Sequence, residues 1–325
     1  MKAVLCREWG PPSVLRFEEV AAKPLGAREA RLRIRAAGVN FADSLMVGGT
    51  YQVKPPFPFT PGLEAAGEIV ELGAGVSHLQ LGQRALAVLR YGGGYAEEAV
   101  VNADAVVPIP DAMDFVTAAA FPVAYGTSHF ALTHRGKLQA GETLLVLGAA
   151  GGVGLTAVEI GRQLGARVIA AAGGRDKLAI AHAHGADELI DYTTQSIRDR
   201  VRELTGGLGA DVVYDPVGGD AFDAALRAVN WEARMLVIGF AGGRIQAVPA
   251  NLILVKNISV IGVVWGEQAA RDPVLVSRNL AELLDWWEAD RLKPHIAATF
   301  PLAEAGAALE ALLSRRYAGK IVLVT

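Results

Sequence analysis

The chain has 325 residues, 52% of them hydrophobic, which is enough for two domains that each bury a core. Its net charge of −3 leaves no basic surface for nucleic acid or an anionic membrane, so we expect neither as a partner. Cys6 is the only cysteine, which excludes an intrachain disulfide and a zinc site built from cysteines. No stretch has the pattern of a membrane span or a secretory signal, so we expect a soluble, cytoplasmic protein.

From the amino terminus to about Pro110, the sequence predicts short strands separated by Gly-Pro turns. The strand-like runs are MKAVLC, VLRFEEV, EARLRIRAAGV, GLEAAGEIVEL, QRALAV and GYAEEAVV. This pattern indicates an antiparallel, barrel-like β domain. The uncharged stretch 115–134 follows and contains Pro122 and Gly126, so we interpret it as buried structure of a soluble protein.

From Thr143, apolar runs alternate with helical segments, and helices are predicted over 153–164, 176–184 and 220–229. The apolar runs are TLLVLG, RVIAAAG, ELID, DVVYDP, RMLVIGF and ISVIGVV. Such continuous runs are typical of parallel strands covered by helices on both faces, so the middle of the chain predicts a doubly wound α/β domain.

After Trp265 the sequence predicts a helix over 273–290, the strand HIAATFPL, a helix to Arg315 and the strand KIVLVT. This tail resembles the first third of the chain, and we predict that it returns to the β domain. The predicted domains are 1–124 with 267–325, and 125–266 between them.

The segment TLLVLGAAGGVG places a strand, a glycine turn and a helix in direct succession. A dinucleotide phosphate needs this order, because helix-start amides face the anion and missing side chains let it approach. The turn therefore predicts a dinucleotide site at Ala150, Gly151, Gly152, Val153 and Gly154. A glycine-rich packing turn without a ligand is the alternative.

The second strand, RVIAAAGG, ends at Ala172 without the carboxylate that accepts both ribose hydroxyls in NAD sites. Arg175 and Lys177 follow at once, and two cations can hold a 2′-phosphate. This pattern favours NADPH over NADH. The alternative is a solvated helix start capped by Asp176.

Several segments together resemble the medium-chain dehydrogenase/reductase superfamily and, within it, the zinc-free, zeta-crystallin-like NADPH:quinone oxidoreductases. These segments are GVNFADS, PFTPGLEAAGEIVELG, AFPVAYGTSHFAL, GAAGGVG and GKIVLV. The resemblance covers the chain and implies a GroES-like β-barrel domain, a Rossmann domain, an active site in a cleft and a homodimer through the Rossmann sheet edge.

Zinc-dependent relatives in this superfamily place Cys, His and a second Cys or acid around the catalytic metal. By resemblance, Asn40, Leu63 and Ala124 stand at those positions here, and Glu64 of the Gly-His-Glu motif is kept. We therefore expect no metal.

The resemblance also implies contacts to the cofactor. Lys177 and Tyr192 would meet the 2′-phosphate and adenosine with Gly173, Gly174 and Arg175, and Lys320 would reach the phosphates from the other domain. Residues near the nicotinamide would be Thr127, Gly239, Phe240, Val263, Val264 and Trp265. Ordinary core packing stays an alternative for Phe240 and Trp265.

Without a Lewis acid, a site of this kind suits an electron-poor acceptor that needs only an oriented hydride donor. Tyr51 and Asn40 are the predicted catalytic residues, since both can donate a hydrogen bond to a developing oxyanion. Asn40 is also a predicted cofactor-binding residue, since either end of its amide could orient the substrate or the nicotinamide. Tyr51 could equally be a surface aromatic, and Asp43 is predicted to cap the helix after GVNFAD.

Three functions remain open on the sequence alone: an NADPH:quinone oxidoreductase, an NADPH-dependent enoyl or 2-alkenal reductase, and an NADPH-binding structural protein of the crystallin kind.

Overall fold

The computed structural model describes residues 1–325, except for the side chains of residues 269, 270 and 273. The strands are β1 (Lys2–Leu5), β2 (Arg16–Glu19), β3 (Glu29–Val39), β4 (Glu64–Leu72), β5 (Arg84–Val88), β6 (Glu98–Asn102), β7 (Val106–Pro108), β8 (Thr143–Leu147), β9 (Arg167–Ala172), β10 (Glu188–Asp191), β11 (Ala210–Asp215), β12 (Val229–Val237), β13 (Ser259–Gly262), β14 (Ile296–Pro301) and β15 (Lys320–Val324).

The helices are α1 (Phe41–Val47), α2 (Phe115–Ala119), α3 (Pro122–His129), α4 (Gly152–Gln163), α5 (Arg175–Ala183), α6 (Ile197–Leu204), α7 (Gly219–Leu226), α8 (Ala250–Lys256), α9 (Trp265–Arg271), α10 (Pro273–Glu288) and α11 (Ala305–Leu313). A π-helical segment, Phe130–Arg135, continues α3, and short 3₁₀ turns lie at Pro12–Val14, Ala103–Ala105 and Leu302–Glu304.

One compact unit contains Met1–Val123, Gln268–Glu288 and Pro294–Thr325. Its main sheet runs β14-β15-β3-β4-β5-β7, with β6 also paired to β3, and every pairing except β14 with β15 is antiparallel. The alternating burial along β3 places its apolar side chains in the core while its charged side chains face outward.

The other unit contains Ala124–Glu267 and Ala289–Lys293 and holds a six-stranded sheet, ordered β10-β9-β8-β11-β12-β13. Every strand pair in this sheet is parallel, and β8 and β9 are almost wholly buried, as their continuous apolar runs require. This is the doubly wound order in which ligands bind at the carboxyl ends of the strands, beside the first strand of the sheet. Here that strand is β8.

The predicted fold class is confirmed: an antiparallel GroES-like β domain and a Rossmann-type parallel sheet. The predicted domain boundaries stay a prediction, and the contact-based division differs from them in placing 289–293 with the parallel sheet. Within the described side chains and the full backbone, no helix is both long and apolar enough to span a membrane.

Several helices were not resolved by the sequence patterns. The stretch 115–134 forms α2, α3 and most of the π-helical segment, and α6, α8 and α9 had no counterpart among the predicted helices. Short helices of this kind carry too few turns to show a helical period, so tertiary packing decides them.

Candidate functional site

The glycine turn joins β8 to α4 at the carboxyl end of a central strand. Gly148 has φ +59°, a left-handed conformation that favours glycine, and its carbonyl accepts a hydrogen bond from the Gly151 amide at 2.9 Å. Gly151 is the N-cap residue of α4. The first amides of a helix have no partner inside the helix, so the turn presents N–H groups and the positive end of a helix dipole.

The spacing of the glycines fits a bound pyrophosphate. A Cβ on Gly154 would lie 2.2 Å from the Gly148 carbonyl oxygen, so only glycine allows this close approach of helix and turn. A Cβ on Gly151 would meet only that oxygen, at 3.4 Å, and Gly151 is exposed. Open backbone at a helix start is what a dinucleotide phosphate requires. Of the other predicted residues, Ala150 is buried, and Gly152 and Val153 are half-buried in the first turn of α4.

The second strand of the parallel sheet, β9, ends at Ala172, and Gly173 and Gly174 follow. Asp191, the last residue of β10, is the parallel register partner of Ala172, so the two strand tips adjoin. Its Oδ1 accepts hydrogen bonds from the Gly174 amide at 3.1 Å and from the amide and hydroxyl of Thr193 at 3.0 and 2.6 Å. The tip of β9 itself carries no carboxylate, and the neighbouring strand places the Asp191 carboxylate beside it.

Tyr192 also lies at this tip, with its ring against the backbone of Gly173, where a Cβ would be 3.2 Å from Cε2. Arg175 and Lys177 stand in the first turn of α5. The suggested cap by Asp176 is wrong, since the N-cap position belongs to Gly174, which has φ +94° and no side chain. The structure thus brings together the residues predicted for the adenosine end, and their roles toward a ligand stay predictions.

The residues predicted near the nicotinamide belong to α3 and to the ends of β12 and β13. Thr127 on α3 is half-buried, as are Gly239 and Phe240 just after β12. Beyond β13, Val263 is buried and Val264 is 58% exposed.

Trp265 is 3% exposed, and its ring lies so close to Gly126 that a Cβ there would be 2.4 Å from Cζ2. The ring therefore packs in the core, which is the alternative that the sequence left open for Trp265. Its buried Nε1–H has no acceptor among the described side chains and backbone, and it is a donor that a ligand can satisfy.

A second group of polar side chains is buried in the unit that holds β3, β4 and β15. We call it the Lys320 cluster, and it consists of Asn40, Asp43, Glu64, Tyr95 and Lys320. The Lys320 ammonium donates to Glu64 Oε1 at 2.7 Å and to Asn40 Oδ1 at 2.7 Å. The Asn40 amide nitrogen donates to Glu64 Oε1 at 2.8 Å. Glu64 is fully buried and Lys320 is 6% exposed, so both charges are paired away from water.

The backbone around this cluster is shaped to receive it. Glu64 Oε2 accepts from the Val123 amide at 2.7 Å, and the Val39 carbonyl accepts from Lys320 at 3.1 Å. A Cβ on Gly38 would stand 2.2 Å from Glu64 Oε1, so the glycine of GVNFAD leaves room for the carboxylate. The three donors of Lys320 meet three acceptors here, and its predicted contact with the cofactor phosphates stays a prediction.

Asp43 is the second buried carboxyl group of this cluster, beside Glu64. Its Oδ2 accepts from the Asn40 backbone amide and from the Tyr95 hydroxyl, each at 2.9 Å, which confirms that Asp43 caps α1. Its Oδ1 is buried and has no hydrogen-bond partner in the described part of the chain. Burial raises the pKa of Asp43 to about 6, against the lowering effect of these hydrogen bonds and of the Lys320 charge.

Tyr51 follows α1 and is half-buried, packed against the core of the same unit. Burial, together with the negative charge of Asp43, raises the pKa of its phenol above the usual value. The phenol therefore keeps its proton at neutral pH and can donate a hydrogen bond. Packing against the core distinguishes Tyr51 from a loosely exposed surface aromatic.

Among the side chains that the structure describes, no three or more His, Cys, Asp or Glu residues lie close enough to hold a metal ion.

Sequence reasoning did not point to Tyr95 or Asp191. It also did not foresee the contact of Lys320 with Glu64. Asp215, at the end of β11, was also overlooked: its Oδ1 accepts from the amides of Val217 and Gly218 at 2.8 and 2.9 Å. Burial raises the pKa of Asp215. A carboxylate at a strand end was the available signal for Asp191 and Asp215, whereas nothing local in the sequence pairs Lys320 with Glu64, 256 residues away.

Comparison with known families gives two matches along this chain. Residues 26–111 match the alcohol dehydrogenase GroES-like domain, and residues 152–284 match the zinc-binding dehydrogenase family. A quinone oxidoreductase-like protein 2 homolog from Nematostella vectensis is 41% identical over 100% of this chain and 89% of its own length. The quinone oxidoreductase of Pseudomonas aeruginosa is 33% identical over 99% of both chains.

Solved structures resemble the chain over its full length. The Escherichia coli quinone oxidoreductase complexed with NADPH matches with a TM-score of 0.91 and 28% identity, covering 100% of both chains. The Thermus thermophilus quinone oxidoreductase, whose complex with NADPH is also solved, matches with a TM-score of 0.87 and 33% identity, again over 100% of both chains.

Proposed function

The chain belongs to the zinc-free quinone oxidoreductase-like family of the medium-chain dehydrogenase/reductase superfamily, and from this we propose that it transfers a hydride from NADPH to a quinone. The observation that carries the proposal is the turn from Gly148 to Gly154, where open backbone meets the start of α4. The solved relatives with NADPH support the choice of cofactor. The similarity to quinone oxidoreductases supports a quinone as the acceptor.

The residues of the parallel-sheet unit fit NADPH at three places. The amides of 152–154 would hold the pyrophosphate, and Arg175, Lys177 and Tyr192 would meet the 2′-phosphate and adenosine. The residues that would line the nicotinamide half are Thr127, Gly239, Phe240, Val263, Val264 and Trp265. When bound, the cofactor supplies the two-electron hydride chemistry that the side chains of this protein lack.

The chain's own part in the reaction is to orient the acceptor and to stabilise charge on its oxygen. A quinone that gains a hydride also takes up one proton, and negative charge develops on its oxygen before that proton arrives. The Tyr51 phenol is protonated at neutral pH, and its raised pKa extends that state to higher pH, so it can donate to that oxygen. Tyr51 is therefore the proposed catalytic donor.

Asn40 is the second proposed donor. One N–H of its amide is held by Glu64 and its oxygen is held by Lys320, which fixes the orientation of the side chain. An amide nitrogen carries two hydrogens, so one stays available for the acceptor or the nicotinamide. The Lys320 cluster would thus act as the support that positions Asn40.

The proposal is tested by comparing acceptors. Purified protein with NADPH is offered a simple benzoquinone, a 2-alkenal and an acryloyl thioester, and NADPH oxidation is followed by its absorbance. We expect acceptor-dependent oxidation with the quinone at a higher kcat/KM than with the other two. Faster reduction of the alkenal or thioester would assign the chain to the enoyl reductases, and NADPH binding without oxidation would favour a structural role.

We further propose a homodimer that forms through the free edge of the parallel sheet. The edge strand is β13, and α8 directly before it carries Leu254 and Val255, which are 79% and 62% exposed. Neighbouring apolar side chains beside an open strand edge are typical of a surface that another chain covers. A cytoplasmic location likewise stays a prediction.

A further inference from the structure

We propose that Asp191 sets the cofactor selectivity of this chain, by opposing the 2′-phosphate of NADPH and offering a carboxylate to the ribose hydroxyls of NADH. The inference rests on the proposed dinucleotide site and deepens it. It predicts that the protein binds both cofactors. Its preference for NADPH over NADH should be smaller than Arg175 and Lys177 alone would give.

The first step is the position of the 2′ substituent. In doubly wound dinucleotide sites, the residue at the end of the second strand meets the ribose hydroxyls of the adenosine half. Here the second strand is β9, so Gly173 and Gly174 occupy that position. A Cβ built on Gly174 would meet nothing within 4 Å, so the space beside this backbone is open.

The second step is the carboxylate itself. Asp191 Oδ1 is held by the Gly174 amide and by both donors of Thr193, at distances from 2.6 to 3.1 Å. This anchoring fixes the carboxylate against the residue where the ribose would lie. These three bonds all use Oδ1, and a carboxylate has a second oxygen with acceptor capacity of its own. The usual strand-tip acid is thus replaced by one from the adjacent strand.

The third step is charge. The hydroxyl and amide of Thr193 and the amide of Gly174 lower the pKa of Asp191, so the group is an anion at neutral pH. A 2′-phosphate carries nearly two negative charges, and an anion beside it disfavours its binding. Arg175 and Lys177 on α5 attract the 2′-phosphate, whereas Asp176 between them repels it as Asp191 does. The balance of these groups decides the preference.

The test is equilibrium binding, measured by calorimetry on the whole protein with NADPH and with NADH. Asp191→Asn keeps an oxygen that can accept from Gly174, and removes only the charge. We expect it to raise the ratio of NADPH affinity to NADH affinity by roughly fivefold. The matched control is Asp199→Asn, because Asp199 is an exposed carboxylate in the same unit, at the start of α6, and its ratio should stay within about twofold of wild type.

Two fragments locate the effect. 2′,5′-ADP should gain affinity in Asp191→Asn, whereas 5′-AMP should not, because only the former carries the 2′-phosphate. A ratio unchanged or lowered in a variant whose thermal unfolding matches wild type would overturn the inference and leave the proposed function standing. A wild-type protein that binds neither NADPH nor NADH would overturn both.

Discussion

Tyr51 is the side chain on which the proposed chemistry depends most. Tyr51→Phe removes the phenolic hydrogen-bond donor while keeping the packing of the ring against the core. We expect the single-turnover rate of NADPH oxidation by a quinone to fall by roughly 10²-fold, with the NADPH dissociation constant unchanged. Tyr317→Phe, at an exposed tyrosine of the same unit, is the control. An unchanged rate in Tyr51→Phe would remove the residue from the mechanism.

Asp43 gives the fold a dependence on pH that can be measured. Its pKa of about 6 in the folded chain lies above its unfolded value of 3.8, so the folded state holds the proton longer. The free energy of unfolding therefore falls as pH rises from about 4 to about 6. Above about pH 6 the total loss is about 3 kcal/mol. The cause is the burial of a carboxylate whose Oδ1 has no partner among the described residues.

Asp43→Asn removes this titration and keeps an acceptor for Tyr95 and for the Asn40 amide. Urea unfolding of both proteins at several pH values gives their free energies of unfolding. Relative to wild type, that of the variant should rise by about 3 kcal/mol between about pH 4 and pH 7. A difference that stays constant across this range would mean that Asp43 does not change its charge there.

At this scale the sequence predicted individual residues better than their partners. GVNFAD and the glycine motif pointed to Asn40, Asp43 and Gly151 through local pattern, and capping by Asp43 is confirmed. The contact of Lys320 with Glu64 could not be predicted, because it exists only once β15 lies beside β3. A side chain that needs a long-range contact to define its role has no local signature.

The strand–turn–helix element at β8 and α4 allows a matched pair of substitutions. Gly151→Ala adds a methyl group that meets only an ordinary contact at 3.4 Å, so the fold should keep its stability while the methyl intrudes on the phosphate space. We expect NADPH affinity to fall by at least about tenfold, since close approach of the backbone to the pyrophosphate is lost.

Gly154→Ala behaves differently, because its Cβ would lie 2.2 Å from the Gly148 carbonyl oxygen and the turn must shift. Here we expect a loss of unfolding free energy of about 2 kcal/mol in addition to weaker binding. Denaturant unfolding and calorimetry on both variants separate the two effects. Equal loss of stability in the two variants would contradict this assignment of roles.

Elements with a strong period were predicted closely. β3 runs from Glu29 to Val39 as expected, and α4 and α5 begin within one residue of their predicted starts. The strand tip at Ala172 was placed correctly, but the Asp191 carboxylate beside it could not be foreseen, because the parallel pairing of β9 with β10 is a tertiary contact. α8 was missed for a similar reason, because tertiary packing decides whether a helix this short forms.

For the whole molecule, the proposed dimer makes a prediction about size in solution. Leu254→Arg places a charge on the apolar surface beside β13, and we expect it to convert a dimer to a monomer in sedimentation velocity. Leu208→Arg is the control, because Leu208 is 69% exposed in the same unit but belongs to the loop after α6. A monomeric wild type, or a dimeric Leu254→Arg, would contradict the proposed interface.

The path of the chain through the whole molecule was predicted from the pattern of apolar residues alone. The change from alternating to continuous apolar runs near Thr143 marks the start of the parallel sheet, and β15 pairs with β3 from the first third. The acceptor could not be read in this way, because it depends on how side chains far apart in sequence surround a small molecule.

The claim of hydride transfer to a quinone is tested most directly by stoichiometry under anaerobic conditions. Protein, limiting NADPH and excess benzoquinone are mixed, and NADP⁺ and hydroquinone are quantified by chromatography. A two-electron hydride transfer predicts one hydroquinone for each NADPH consumed, with no more semiquinone in electron paramagnetic resonance than the same amounts of benzoquinone and hydroquinone give without protein. Semiquinone above that level early in the reaction, or NADPH loss no faster than without protein, would contradict the account.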